Sequence, residues 1–126
     1  MHINHLDLQV RDVQATRAFF ERNFGLTLQS NKNSPALVIM TDESGFVLVL
    51  QKTASDTERY PDGFHLGFLM PDVESVHAAH ARAVESGTPV SDVIVNGRGT
   101  MIYLTAPEGY AVEVACHKHA YPRSPT

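Results

Sequence analysis

His5-Leu6-Asp7-Leu8-Gln9-Val10-Arg11-Asp12-Val13 returns sixty residues later as His65-Leu66-Gly67-Phe68-Leu69-Met70-Pro71-Asp72-Val73, with His, Leu, Asp and Val in matching places. A second match pairs Thr41-Asp42-Glu43-Ser44-Gly45-Phe46 with Thr105-Ala106-Pro107-Glu108-Gly109-Tyr110, at nearly the same offset. Each half of the chain therefore opens with one shared segment and closes with another, which marks an internal repeat. Within the first stretch Leu6, Leu8 and Val10 alternate with His5, Asp7 and Gln9, the period of a strand with one buried face. Asp12 and Asp72 each stand before a helical apolar pattern, as N-caps do.

Working outward, the pattern predicts a strand over 2–10, then a helix capped by Asp12 with Val13, Phe20 and Phe24 at helical spacing, stopped by Gly25. Strands follow at 26–31, 36–41 and 46–52, separated by turn residues. The second half predicts a strand at 64–70 and a helix carrying Val73, Val76, Ala79, Ala83 and Val84 that ends at Gly87. Three more strands are expected at 89–95, 100–105 and 110–116. The fold class is therefore α+β: two βαβββ modules, forming a curved mixed-sheet cup that both copies wall. We read one domain over 1–126, with repeat one at 1–52, a linker at 53–63, repeat two at 64–116 and an irregular tail at 117–126.

Composition narrows the partners. Apolar residues make up 43% and charged residues 19%, a globular balance that argues against disorder. The net charge of −4 offers no basic stripe for phosphate backbones, so nucleic acid is not an expected partner. No apolar run is long enough to cross a bilayer, and the opening residues lack a signal pattern, so no membrane partner is expected either. A single cysteine, Cys116, cannot form an internal disulfide and fits a reducing, cytoplasmic setting.

The alternation assigns faces. Leu6, Leu8, Val10, Leu66, Phe68 and Met70 go under the helices, which leaves His5, Asp7, Gln9, His65, Gly67 and Leu69 on an open face. In the last strand Val112, Val114 and Cys116 take the covered side, and Ala111, Glu113, Ala115 and His117 the open one. A carboxylate between two apolar neighbours costs several kcal/mol unless paired or metal-bound. His5 and His65 hold the same place in the two repeats, and Glu113 corresponds to Val49. Two imidazoles and one carboxylate with open positions suit Fe(II), Mn(II), Zn(II), Co(II) or Ni(II). One divalent ion on His5, His65 and Glu113 is the expected cofactor.

Other histidines read as surface or structural. His77 and His80 share one face of the second helix, where solvation is the simpler expectation. Cys116, His117 and His119 look like a metal cluster, but alternation sends Cys116 and His117 to opposite faces. Asn96-Gly97-Arg98-Gly99 reads as a hairpin turn rather than a phosphate cradle, with Arg98 leaning toward the mouth of the cup.

These residues resemble the vicinal oxygen chelate superfamily: glyoxalase I, bleomycin-resistance proteins, fosfomycin-modifying thiol transferases and extradiol dioxygenases. The resemblance rests on Asn4-His5-Leu6, the Asp12…Phe19-Phe20…Phe24-Gly25-Leu26 pattern, Phe64-His65-Leu66-Gly67-Phe68, and Pro107-Glu108-Gly109-Tyr110-Ala111-Val112-Glu113. It implies that His5, His65 and Glu113 are metal ligands, that Glu113 and Tyr103 act in catalysis, and that Asp7, Gln9, Val49, Gln51, Arg98 and Tyr103 line the substrate site. It implies a small-molecule substrate with vicinal oxygens, a lyase, isomerase, thiol-transferase or dioxygenase reaction, and a homodimer whose units pair across chains. Val49 departs from the glyoxalase I pattern, which places a fourth ligand, a glutamate, there. Asp7 departs from the thiol transferases, which place a threonine there. The other class open to the sequence is a metal-free protein that sequesters a small ligand, as bleomycin-resistance members do.

Overall fold

The computed structural model describes residues 1–30 and 33–119, without the side chain of Ser30. Its elements run β1 (His5–Val10), α1 (Val13–Phe24), β2 (Thr27–Ser30), β3 (Leu37–Thr41), β4 (Val47–Lys52), β5 (His65–Leu69), α2 (Val73–Glu85), β6 (Ile94–Asn96), β7 (Gly99–Thr105) and β8 (Ala111–His117). Each half is βαβββ, and each makes its own mixed four-stranded sheet: β1-β4-β3-β2 in the first, β5-β8-β7-β6 in the second. The fold is α+β, as the repeat required.

The contacts gather into two compact units. The first holds Met1–Gly63 together with Ala106–Tyr110, and the second holds Phe64–Thr105 together with the chain from Ala111. Residues 53–63, expected to be a linker, belong to the first unit. Thr53 continues the β1 ladder by donating to Val10, and the Tyr60 hydroxyl donates to the Gln9 carbonyl at 2.6 Å.

In the first unit α1 lies over Leu8, Val10, Val38, Met40, Leu48 and Leu50, all nearly inaccessible. Asp12 caps it by accepting from the Ala15 amide at 2.9 Å, and Gly25 ends it at φ 66°, where a Cβ would be strained. The buried stripe is Val13, Thr16, Phe19, Phe20 and Asn23, with Phe24 half-buried against Phe19. Thr16 and Asn23 tolerate burial because each donates to a carbonyl four residues back.

In the second unit the stripe under α2 is Val76, Ala79 and Ala83, whose small side chains let the helix sit close over β7 and β8. Val73 and Val84, expected on that stripe, are exposed. Both fall off the narrow arc defined by positions 76, 79 and 83.

Register makes the repeat physical. Asp7 pairs with Val49 in the parallel ladder β1·β4, and Gly67 pairs with Glu113 in β5·β8. The turns before β4 and β8 also coincide. Asp42 donates to Phe46 and accepts from Gly45; Ala106 donates to Tyr110 and accepts from Gly109. Gly45 and Gly109 sit at φ 89° and 95°, a left-handed position that explains why glycine recurs there.

Two strand expectations change. β1 starts at His5 rather than residue 2, because its partner β4 starts at Val47 and the turn before it leaves nothing to pair with. The strand expected at 89–95 is reduced to a bridge at Val90 and the short β6. Pro89 has no amide proton, and the Ser91 hydroxyl takes the Tyr103 amide, so the ladder breaks before Ile94. Residue 31 of the expected second strand and 120–126 of the expected tail lie outside the described residues, while His117 itself closes β8.

Candidate functional site

The open face of each sheet carries the polar residues that alternation sent there. In β1 the burial pattern places His5, Asp7 and Gln9 outward and Leu6, Leu8 and Val10 inward. In β5, His65, Gly67 and Leu69 face outward likewise.

In the second unit β8 carries Glu113 on this face, half-buried between buried Val112 and Val114. Its cross-strand neighbour in β7 is Tyr103, whose hydroxyl donates to Glu113 Oε2 at 2.5 Å. Arg98 Nη2 lies 3.4 Å from the tyrosine oxygen, so protons point along one line: Arg98 to Tyr103, Tyr103 to Glu113. The bond to Glu113 first, then burial, then the carboxylate's charge raise the Tyr103 pKa above its usual value; the opposing pull of Arg98 is smaller. The carboxylate is thus paired by a phenol. Of the two ways the sequence reading allowed for satisfying this carboxylate, pairing is the one seen here.

On the other side of Glu113 stands Gly67 of β5. A Cβ on Gly67 would come within 2.5 Å of the Glu113 carbonyl oxygen and 3.0 Å of its Cβ, so β5 approaches β8 this closely only with glycine. His65 lies two residues before Gly67 on the same exposed face. The second unit therefore joins Arg98, Tyr103 and Glu113 through side-chain contacts, with His65 on the exposed face of the neighbouring strand β5.

The first unit brings together the remaining expected residues. His5 Nδ1 lies 3.1 Å from Asn4 Oδ1. This contact leaves Nε2 as the ring nitrogen turned away from Asn4. Gln9 Nε2 donates to Asp7 Oδ1 at 2.7 Å and to Gln51 Oε1 at 3.2 Å, which ties three candidate lining residues into one polar strip. Val49 is half-buried beside Asp7, and Val47, Ile39 and Leu37 continue an apolar strip from it.

A site the sequence reading missed lies in this unit. Gln9, Arg11, Tyr60 and Glu108, with part of 53–61, line a cavity of 130 Å³. Glu108 Oε1 accepts from the Arg11 amide at 2.8 Å and from Arg11 Nε at 3.3 Å. Tyr60 packs edge-on against Tyr110 at 4.9 Å. The only sequence signal was the carboxylate in the Pro107-Glu108-Gly109 turn, and its partner lies almost a hundred residues away.

The donor set suits a divalent ion chemically: two imidazoles and a carboxylate held by a hydroxyl. Among the described residues no three His, Cys, Asp or Glu side chains are gathered as one metal-binding group. Of the expected ligands, the first unit holds His5 and the second holds His65 and Glu113. His77 is exposed and His80 half-buried on α2, as expected of a solvated face. Cys116 pairs with Thr100 while His117 pairs with Gly99, which keeps the two side chains on opposite faces. No helix among the described residues is long and apolar enough to cross a membrane.

Known proteins share this architecture. A possible glyoxalase from Bacillus cereus is 37% identical, superposes with a TM-score of 0.79, and is matched over 92% of this chain and 99% of its own. The lactoylglutathione lyase of Agrobacterium tumefaciens is 22% identical with a TM-score of 0.72, matched over 90% of this chain and 92% of its own. A mutant of the fosfomycin resistance protein FosX from Listeria monocytogenes, solved with Mn(II) and 1S,2S-dihydroxypropylphosphonic acid, is 18% identical with a TM-score of 0.70, matched over 93% and 90%. The last two likenesses show the fold alone. No curated protein matches the chain. The family model of the Glyoxalase/Bleomycin resistance protein/Dioxygenase superfamily matches residues 2–114. With the repeat, the paired βαβββ sheets and this match in place, the chain belongs to the Glyoxalase/Bleomycin resistance protein/Dioxygenase superfamily.

Proposed function

We propose that this protein is an enzyme that uses one divalent ion, held by His5, His65 and Glu113, to transform a small molecule bearing two adjacent oxygens. The observation that carries the reading is the Tyr103–Glu113 hydrogen bond on the face that also bears His65. Carboxylates that bind metals are characteristically oriented by a second hydrogen bond, and Tyr103 provides one at Oε2, leaving Oε1 for the ion. Asn4 does the same for His5. When bound, the ion would polarise the substrate oxygens and stabilise negative charge that develops on one of them. Because Val49 stands at the place matching Glu113, the protein would offer three donors and leave room for substrate oxygens. The Asp7–Gln9–Gln51 strip would orient polar groups, and Val47, Val49 and Ile39 would take up apolar ones. The FosX mutant of the same fold was solved with Mn(II) and 1S,2S-dihydroxypropylphosphonic acid, a molecule with two adjacent hydroxyls.

Metal analysis of protein purified without added metal or chelator tests the reading. One divalent ion per chain is expected, lost in His5→Ala, His65→Ala and Glu113→Ala. Full metal content in all three variants would overturn it. A protein that is metal-free as purified and refuses added Mn(II) or Zn(II), yet binds apolar molecules, would belong to the sequestering class instead.

A further inference from the structure

The hairpin between β6 and β7 shapes a second feature of the second unit. Gly97, Arg98, His117 and His119 line a cavity of 280 Å³, many times the ~30 Å³ share of one liquid water. Among the described residues no carboxylate lines it. The backbone of Arg98 is pinned from both sides: its amide donates to Asn96 Oδ1 at 2.9 Å, and its carbonyl accepts from the Lys118 amide at 2.8 Å. Gly99 locks the hairpin onto β8. It sits at φ 144°, and a Cβ there would lie 2.1 Å from the Cys116 carbonyl oxygen. This close approach holds Arg98 beside His117, the pairing partner of Gly99.

The Arg98 side chain is held but not neutralised. Its Nη2 contacts Met101 Sδ and the Tyr103 hydroxyl, each at 3.4 Å, and no carboxylate partners it among the described residues. Arg11 and Arg17, by contrast, are paired with Glu108 and Glu21. A guanidinium has five N–H donors in a fixed fork, so most of this one remains available for an oxyanion. The chain as a whole is negative, with a net charge of −4, so binding an anion needs a local positive site of this kind.

We propose that Arg98, His117 and His119 form a subsite for a compact oxyanion, a carboxylate or phosphoryl-type group carried by the substrate. The inference rests on the proposed function in one respect: Arg98 reaches Tyr103 and through it Glu113, so a molecule anchored here would extend toward that carboxylate. The substrate is then a small acid whose charged group lies near its two reacting oxygens.

The test titrates the purified protein with inorganic phosphate, and separately with acetate, at low ionic strength, following the imidazole NMR signals of His117 and His119. Saturable shifts of both signals are expected with at least one of the two anions, and the tighter one identifies the charged group. Arg98→Ala should weaken that binding about tenfold or more, as loss of a charge-assisted pair does, while Arg98→Lys retains most of it. Arg98 is exposed, and an unchanged thermal midpoint would confirm that the Ala variant folds. His5→Ala separates this inference from the metal reading: the shifts should persist in it. If they vanish with the metal, the anion was bound through the ion, which overturns the subsite while upholding the metal centre. Linear, non-saturating shifts with both anions, or equal shifts in Arg98→Ala, also overturn it.

Discussion

Tyr103 and Glu113 face each other across the antiparallel ladder of β7 and β8, and the phenol donates to the carboxylate at 2.5 Å. Tyr103→Phe keeps the ring and removes that donor. If Glu113 is a metal ligand, its orientation loosens and metal affinity should fall about 10–100-fold. Tyr103 is half-buried rather than core, so the thermal midpoint should barely move. Calorimetric titration with Mn(II) or Zn(II) measures the first and thermal unfolding the second. Unchanged affinity in a folded variant would show that Tyr103 does not position a ligand.

Val49 offers the complementary experiment, since it stands opposite Asp7 as Glu113 stands opposite Gly67. Val49→Glu places two carboxylates side by side on one face, and like charges directly opposite destabilise a sheet by up to about 1 kcal/mol. The metal-free variant should therefore melt below the parent. Divalent metal should then raise its midpoint more than it raises the parent's, because a fourth donor joins the site. A metal-induced rise no larger than the parent's would place Val49 away from the ion.

Gly67→Ala probes the close approach of β5 to β8. The added Cβ meets backbone, which cannot swing away, so a strand must shift. The expected cost is about 1–3 kcal/mol in denaturant unfolding, as for other overpacked sites. Wild-type stability would show that the two strands can part without penalty.

Alkaline pH should destabilise the protein. Burial, with help from Glu108 and Asp7, raises the Tyr60 pKa; the Glu113 bond chiefly raises that of Tyr103; burial chiefly raises that of Tyr110. A tyrosine with a raised folded pKa binds its proton more tightly native than unfolded. Its contribution is therefore complete below the unfolded value of about 10 and is lost as pH climbs through the raised value. At about pH 10.5, native protein should show less tyrosinate absorbance than protein unfolded in urea. Equal absorbance in the two states would contradict these shifts.

Assembly can be tested through the same donors, because the first unit carries only His5 of the proposed set. Family resemblance suggests a homodimer in which His5 of one chain meets His65 and Glu113 of the other. A mixed dimer of His5→Ala and Glu113→Ala chains then has one doubly defective site and one intact site. One ion per mixed dimer is expected by metal analysis. A mixed dimer that forms yet binds no metal would mean that each site is built from a single chain.

What the sequence determined by itself was most of what has a local period, Val73, Val84 and the strand expected at 89–95 being the exceptions. Strand alternation put His5, Asp7, Gln9, His65 and Glu113 on outward faces, and capping chemistry set α1 and α2 behind Asp12 and Asp72, because backbone geometry fixes both within a few residues. The repeat added the equivalence of Val49 and Glu113, which needs only two offsets that agree. Tertiary structure alone decided the partners. That Glu113 is satisfied by Tyr103, that Glu108 holds Arg11, and that Gly67 must lack a side chain all depend on which strands pair and in what register. Register is set by burial summed over a whole sheet, between segments far apart in the chain, and no local window contains it. The same holds for the cavity of Arg98, His117 and His119. Its residues come from a hairpin and from the end of a strand some twenty positions later, and they meet because Gly99 lets the two backbones nearly touch.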